Sequence, residues 1–318
     1  MITTIYRNGL RSFLPFLFLC SSISAVIAQS ENVSVASGDS LQPAALIDVA
    51  VRYPHALVVE LDAGRLHVYR REPEGVFTRL KTMPISIGKE GYGKEIEGDN
   101  KTPIGVYRIV SHLNDQQLDD FYGHAAYPVN YPNAWDRLKQ RTGYGIWLHA
   151  EPSAKKTRPL RDSNGCVVLS NNDIDQLSQF LDVGYTYVVL TPKMEMLSVQ
   201  KVRKQREQLR ARLQQWQQSW ESLQTDEYLQ LYSKQFNNLE KNWQQWSAYK
   251  RRVNASKRFI NVNISDVGLY AYPGEKDIVW AEYYQTYRSS NYQSQGWKRQ
   301  LWQLEDDGQW RIIYEGGG

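Results

Sequence analysis

The hydrophobic period of this 318-residue chain switches at Pro192, and the switch divides it into two differently built halves. Upstream, from Ala56, apolar residues come in short blocks bounded by glycine, proline, asparagine and aspartate, the pattern of β-strands. "ALVVELDAGRLHVYRR" reads as two strands joined at Asp62-Ala63-Gly64, and "KTMPISIG" and "TPIGVYRIVS" continue the set on either side of the charged, glycine-rich "KEGYGKEIEGDNK". A loop region rich in proline and aromatics, "FYGHAAYPVNYPNAWDR", precedes the strand "GIWLHA"; the loop "EPSAKKTRPLRDSNG" then leads to the strand "CVVLS". Helical spacing follows at Ile174, Leu177, Phe180 and Leu181 behind an N-cap, and "TYVVLTP" closes the unit as a buried strand. Residues 54–192 are expected to form a mainly β domain with one helix near its end.

Downstream of Pro192 the chain turns to Gln, Lys, Arg and Trp, and Leu209, Leu213, Trp216, Trp220 and Leu223 form a helical stripe. Two more helical runs follow, Tyr228 to Phe236 and Trp243 to Tyr249. Strict alternation then returns in "RFINVNISDVGLY", "DIVWAEYYQTY", "WKRQLWQL" and, after the turn at Asp306-Asp307-Gly308, "QWRIIY". Helices followed by a meander of long strands make a small α+β domain. The expected division is a helical connector over 193–223 and the α+β unit over 224–318. Core packing of a curved sheet accounts for most of its aromatics, among them Trp280, Tyr283, Tyr284, Trp297, Trp302 and Trp310.

The first 28 residues carry Arg7 and Arg11 with no acid, then an apolar run, then small residues ending at Ala28, which fits a cleaved signal peptide. The run is short and ends in serines, which argues against a permanent span. Leu19 is too large for the small residue expected before a lipidated Cys20. Cleavage removes Cys20, one of the chain's two cysteines, and leaves Cys166 alone. An exported protein with one thiol keeps it either buried and inert or for its reactivity. Residues 29–53 are polar except for "LQPAALIDVAV", which is expected as a helix packed on something larger. The net charge of +4 gives no argument for nucleic acid.

Cys166 follows Gly165 in a turn of small residues, and His149 ends the strand before it. A thiol near its ordinary pKa of ~8.5 is only a few per cent ionised at neutral pH, and a histidine in reach changes that by taking the proton. Neighbouring strands with a loop above them would bring the two side chains to one rim. The N–H groups of Gly165 and Cys166 could then face a developing oxyanion, where such a donor is worth about 2.7 to 4 kcal/mol. His55, His67 and His112 lack metal-ligand spacing and no HExxH is present, so neither a metal nor another cofactor is expected.

At these residues the chain resembles the YkuD-type L,D-transpeptidases of peptidoglycan metabolism, whose signature is a histidine, a gap, then Ser/Thr, usually His, Gly, Cys and an apolar residue. Here His149 is followed, after thirteen residues, by Ser163-Asn164-Gly165-Cys166-Val167. "EGDNKTPIGVY" and "YPNAWD" also look like family segments lining the cleft, and the resemblance covers roughly 54–192. Asn164 replaces the usual histidine, and Val168 stands where many members carry arginine or asparagine, so contacts to substrate are expected to differ.

The resemblance implies acyl transfer on the stem peptides of peptidoglycan. Cys166 would attack the carbonyl of the third residue, a diamino acid, and expel the terminal D-alanine. His149 would act as base and then acid, with the Ala150 carbonyl as its orienting partner. Arg161 is the candidate for holding a substrate carboxylate, and Ser163, Asn164, His124, Tyr131 and Lys101 are candidate substrate contacts. Water would make the enzyme an L,D-carboxypeptidase; a second stem would make it a cross-linking transpeptidase; a related branch detaches wall-bound lipoprotein. The C-terminal half looks like the cone fold typified by nuclear transport factor two, and the pairing resembles the L,D-carboxypeptidases that set cell shape in helical bacteria. Its expected roles are support of the cleft, a homodimer contact or a site for a wall-associated protein. The competing reading is an exported binding module without activity. The expected location is the periplasm.

Overall fold

The computed structural model describes residues 40–154 and 158–317; the expected signal peptide and the start of the 29–53 segment lie outside them. The apolar patch expected as a helix is instead two short strands, β1 (Leu41–Pro43) and β2 (Leu46–Asp48). Pro43 sits inside the patch, and a helix of this length has little stability of its own. Open strand edges capture the patch instead. β1 pairs with β14 (Met196–Ser198), and β2 adds to β15 (Ile260–Ala271).

The first half is organised around a five-stranded sheet in the order β5-β4-β3-β13-β7. These strands are β3 (His55–Glu60), β4 (Arg65–Arg71), β5 (Phe77–Pro84), β7 (Gly105–Arg108) and β13 (Tyr187–Thr191). β3 and β13 are parallel neighbours at its centre. They read as continuous apolar runs because both faces are covered. Leu57, Val59, Val188 and Leu190 face one core, while Ala56, Val58, Tyr187 and Val189 face another that includes Tyr270 and Trp280 of the second half.

Against the first core lies a four-stranded sheet of β12 (Val167–Leu169), β10 (Trp147–Ala150), β9 (Ala125–Pro128) and β8 (Leu113–Asn114). A small pair, β6 (Ile87–Gly88) with β11 (Arg161–Ser163), joins the loops above it. The expected helix is α2 (Asn171–Ser178), capped by Ser170 and burying Ile174 and Leu177. A second helix, the short α1 (Ala134–Leu138), sits inside the expected loop region. Asn133 and Asp136 cap its start reciprocally, each side chain accepting the other's backbone N–H.

In the second half, α3 (Val199–Glu221) lays Leu209, Leu213, Trp216 and Trp220 against a sheet of β15, β16 (Ile278–Ser289), β17 (Gln293–Leu304) and β18 (Trp310–Gly317). α4 (Thr225–Gln230) and α5 (Trp243–Ala255) complete the cone. The helical run expected to reach Phe236 stops at Gln230, and Phe236 enters the same core from the following turn. Alternation on β16 decides the layering: Val279, Ala281 and Tyr283 face the helices, while Ile278 and Trp280 face the first half. Trp216, Trp280 and Trp302 are fully buried, each contributing on the order of 5 kcal/mol of transfer free energy.

Two buried carboxylates tie the halves together. Asp48 receives Arg71 from β4 at 2.9 Å and Arg210 from α3 at 2.6 Å, and Glu282 on β16 receives Arg108 from β7 at 2.9 Å and Arg299 from β17 at 3.2 Å. Among the described residues no helix is long and apolar enough to cross a membrane.

Candidate active site

β10 and β12 run side by side in the same direction, with Leu148 opposite Val167 and His149 opposite Val168. Leu148, Ala150, Val167 and Leu169 face the core. Alternation therefore turns His149 and Cys166, the residue before β12, to the same outer face.

The turn ahead of Cys166 depends on Gly165, whose φ is +122°. A Cβ there would stand 2.9 Å from the Lys101 carbonyl oxygen, so the turn and the 101–102 segment touch backbone to backbone. Thr102 Oγ1 donates to the Gly165 carbonyl and accepts the Gly88 N–H, both at 2.9 Å. Ser163 Oγ donates to the Cys166 carbonyl at 2.6 Å and accepts the Gly165 N–H at 3.1 Å. That last bond occupies the N–H expected to face an oxyanion. The Cys166 N–H remains as the candidate donor of that pair.

His149 is 1% exposed, and its Nδ1 lies 2.6 Å from the Ala150 carbonyl oxygen. A carbonyl only accepts, so Nδ1 carries the hydrogen and the Nε2 lone pair is the basic site. Burial lowers the imidazole pKa to about 4; the carbonyls of Ala150 and Tyr122 oppose the shift, and the Arg158 charge adds to it. The Cys166 thiol donates to the Gly145 carbonyl at 3.4 Å. Burial raises its pKa to about 11, against the Trp147 backbone and the charges of Arg158 and Lys94. The pair at rest is a thiol and a neutral imidazole, not the thiolate–imidazolium pair expected from the sequence. Proton transfer therefore has to accompany attack.

Aromatic rings wall the imidazole. Tyr122 meets His149 edge-on at 5.3 Å and packs on Trp147 at 4.7 Å, with Phe121 at 6.4 Å from His149 and half exposed. Gly123 permits this approach, since a Cβ there would lie 2.5 Å from that of Ala150. Nearby, buried Lys94 donates to Asp99 at 2.7 Å and to the Ile96 carbonyl at 2.9 Å. Burial alone would raise the Asp99 pKa, but Lys94 and the N–H groups of Glu95, Lys101 and Ile96 bring it to about 2, clamping this loop.

The other expected contacts separate. Asn164 is exposed and accepts from Lys89 Nζ at 3.0 Å. Lys101 meets the turn through its backbone. Arg161 is exposed and lies across Gly91. His124 is held on α2, with Nε2 2.7 Å from Asp175 and Nδ1 3.1 Å from Asn171. Tyr131 belongs to the core and donates to the Thr142 carbonyl at 3.0 Å, so its expected substrate contact is corrected to packing. Sequence reasoning missed Arg158, Lys94, Tyr122 and Trp147. Arg158 lies in the same basic loop as Arg161, and proximity to the cysteine motif drew the expectation to Arg161. A hollow of about 960 Å³ between α3, β14 and the turn at Pro273–Ile278 is lined by residues of neither β10 nor β12.

Two family models match the chain: the YkuD L,D-transpeptidase catalytic domain over residues 54–190 and the Cds6 C-terminal NTF2-like domain over 208–316. Among solved structures it is similar to Bd1075 of Bdellovibrio bacteriovorus, at 27% identity and a TM-score of 0.73 over 88% of this chain and 98% of that one. It is also similar to the helical cell shape determining protein Pgp2 of Campylobacter jejuni, at 26% identity and a TM-score of 0.71 over 86% of this chain and 95% of that one. Comparison with curated proteins found no match.

Proposed function

We propose that this chain, a peptidoglycan-acting member of the L,D-transpeptidase family with a YkuD catalytic domain and an NTF2-like domain behind it, is an exported L,D-carboxypeptidase that trims stem tetrapeptides. The observation that supports the reading is the register of β10 and β12, which puts Cys166, just before β12, on the same side as an imidazole with its Nδ1 locked on Ala150. Cys166 Sγ attacks the carbonyl carbon of the third residue while His149 Nε2 takes the thiol proton. The same proton passes to the nitrogen of the departing D-alanine as the C–N bond breaks, leaving a thioester. Water then attacks the thioester, gives a proton to Nε2, and Sγ leaves to recover that proton. A thiol that rests protonated is a weaker target for oxidants than a thiolate.

Trimming is preferred to cross-linking because the NTF2-like partner matches the arrangement of the cell-shape carboxypeptidases that the sequence resembles. In this reading residues 54–192 hold the chemistry, residues 193–318 support the cleft or a partner, and the site of action is the periplasm. The test is incubation of purified protein with disaccharide tetrapeptide, with and without an acceptor stem. Tripeptide and free D-alanine in both arms support the reading. Cross-linked dimer in the acceptor arm overturns hydrolysis, and unaltered tetrapeptide in both arms overturns enzymatic function.

A further inference from the structure

Among the described residues, Arg158 is the one arginine whose charge acts on both the thiol and the imidazole. Its side chain is 8% exposed. Nε donates to Asp162 Oδ2 at 2.9 Å and Nη2 to the Asp162 carbonyl at 3.1 Å, so a single residue fixes one edge of the guanidinium. At the other end Nη1 is buried and has no hydrogen-bond partner among the described residues. Buried donors are nearly always paired, and a guanidinium held rigidly on one side is preorganised to receive an oxyanion on the other. Arg161, by contrast, lies exposed over Gly91.

We propose that Arg158 Nη1 binds the C-terminal carboxylate of the residue being removed, and that this contact makes the site specific for a single terminal residue. The inference rests on the carboxypeptidase reading and deepens it. The carboxylate of the leaving residue is separated from the scissile carbonyl carbon by only a nitrogen and a Cα. Asp162, which holds Arg158, adjoins Ser163, and the Ser163 hydroxyl bonds the Cys166 carbonyl and the Gly165 N–H, so the guanidinium is anchored to the segment that carries the nucleophile, on the scale over which that carboxylate has to lie. A stem extended by one more residue, or amidated at its end, brings no anion to this position and leaves Nη1 unpaired.

The experiment compares a tetrapeptide bearing a free C-terminal carboxylate with its C-terminal amide, in wild type, Arg158→Lys and Arg158→Gln. Wild type is expected to prefer the free acid by about 100-fold in kcat/KM. Arg158→Gln should lower the free-acid rate far more than the amide rate, so that the preference is lost, and Arg158→Lys should fall between. Equal loss on both substrates, or an unchanged preference, overturns the proposal. A second measurement needs no peptide turnover: alkylation of Cys166 by iodoacetate and by iodoacetamide. The anionic reagent should be favoured in wild type, and the rate ratio should drop about 10-fold in Arg158→Gln and less in Arg158→Lys. An unchanged ratio counts against an anion site at Nη1. A wild type that cleaves neither peptide yet shows the reagent preference would overturn the carboxypeptidase reading while leaving the anion site standing.

Discussion

Burial perturbs titratable groups in both halves of the molecule, with opposite consequences. On the outer face of β10 and β12, Cys166 and His149 are desolvated and left with backbone carbonyls as their close partners. Inside the cone, a buried carboxylate and a buried ammonium are matched by side chains. Glu315 accepts from Tyr232 at 2.6 Å and from Gln300 at 2.9 Å, and its other oxygen is 3.9 Å from Lys250. The Lys250 ammonium also lies over Trp246 at 4.5 Å and Trp220 at 4.4 Å. Burial still lowers its pKa to about 8, against the pull of Glu315. Unmatched groups at the cleft retain capacity for a reacting molecule, whereas the matched groups of the cone hold the fold.

The largest expected effect comes from the cleft. Cys166→Ala should reduce muropeptide trimming by at least about 10⁴-fold with an unchanged urea midpoint; a large stability loss in its place would mean that the thiol is a packing residue. In the cone the expectation reverses. Glu315→Ala strands Lys250 in an aromatic enclosure, at a cost of about 3–5 kcal/mol in chemical denaturation, with kcat at the cleft retained under folding conditions. Loss of activity in folded Glu315→Ala protein would break the separation of roles.

Protonation sharpens the contrast. With the buried imidazole held at about 4, the acid limb of kcat/KM should fall near that value and not near the ordinary histidine pKa of ~6.5. The linkage has a definite sign. The unfolded chain binds a proton at this histidine between pH ~6.5 and 4 and the folded chain does not, so stability declines as pH falls through that window. His149→Gln should flatten the decline, measured as the pH dependence of the urea midpoint. The smallest effect is reserved for His124 and Asp175, an exposed pair. Asp175→Asn should cost less than about 1 kcal/mol and leave turnover unchanged; a tenfold drop in kcat/KM would return His124 to the substrate site.

Much of this was legible in the chain itself. Alternation set the strands of the cone, the stripe from Leu209 to Trp220 set α3, and the Ser163–Val167 motif behind His149 singled out the two candidate reacting residues. The helix expected at 41–51 failed because its alternative was stabilised by strand edges belonging to residues 196–198 and 269–270, which are remote in sequence. Tyr131 failed for a related reason, since an aromatic in a proline-rich loop carries no local mark of facing the core or the cleft.

The sequence by itself determined which atoms could do chemistry, because a thiol, a histidine and a glycine turn are properties of residue type and order. Their protonation states were decided by the tertiary structure, through desolvation by distant chain segments and through the carbonyls that happen to face them. The different surroundings of Arg158 and Arg161 were decided in the same way. Both carry the same charge, and only the fold buries one side chain against Asp162 and leaves the other exposed.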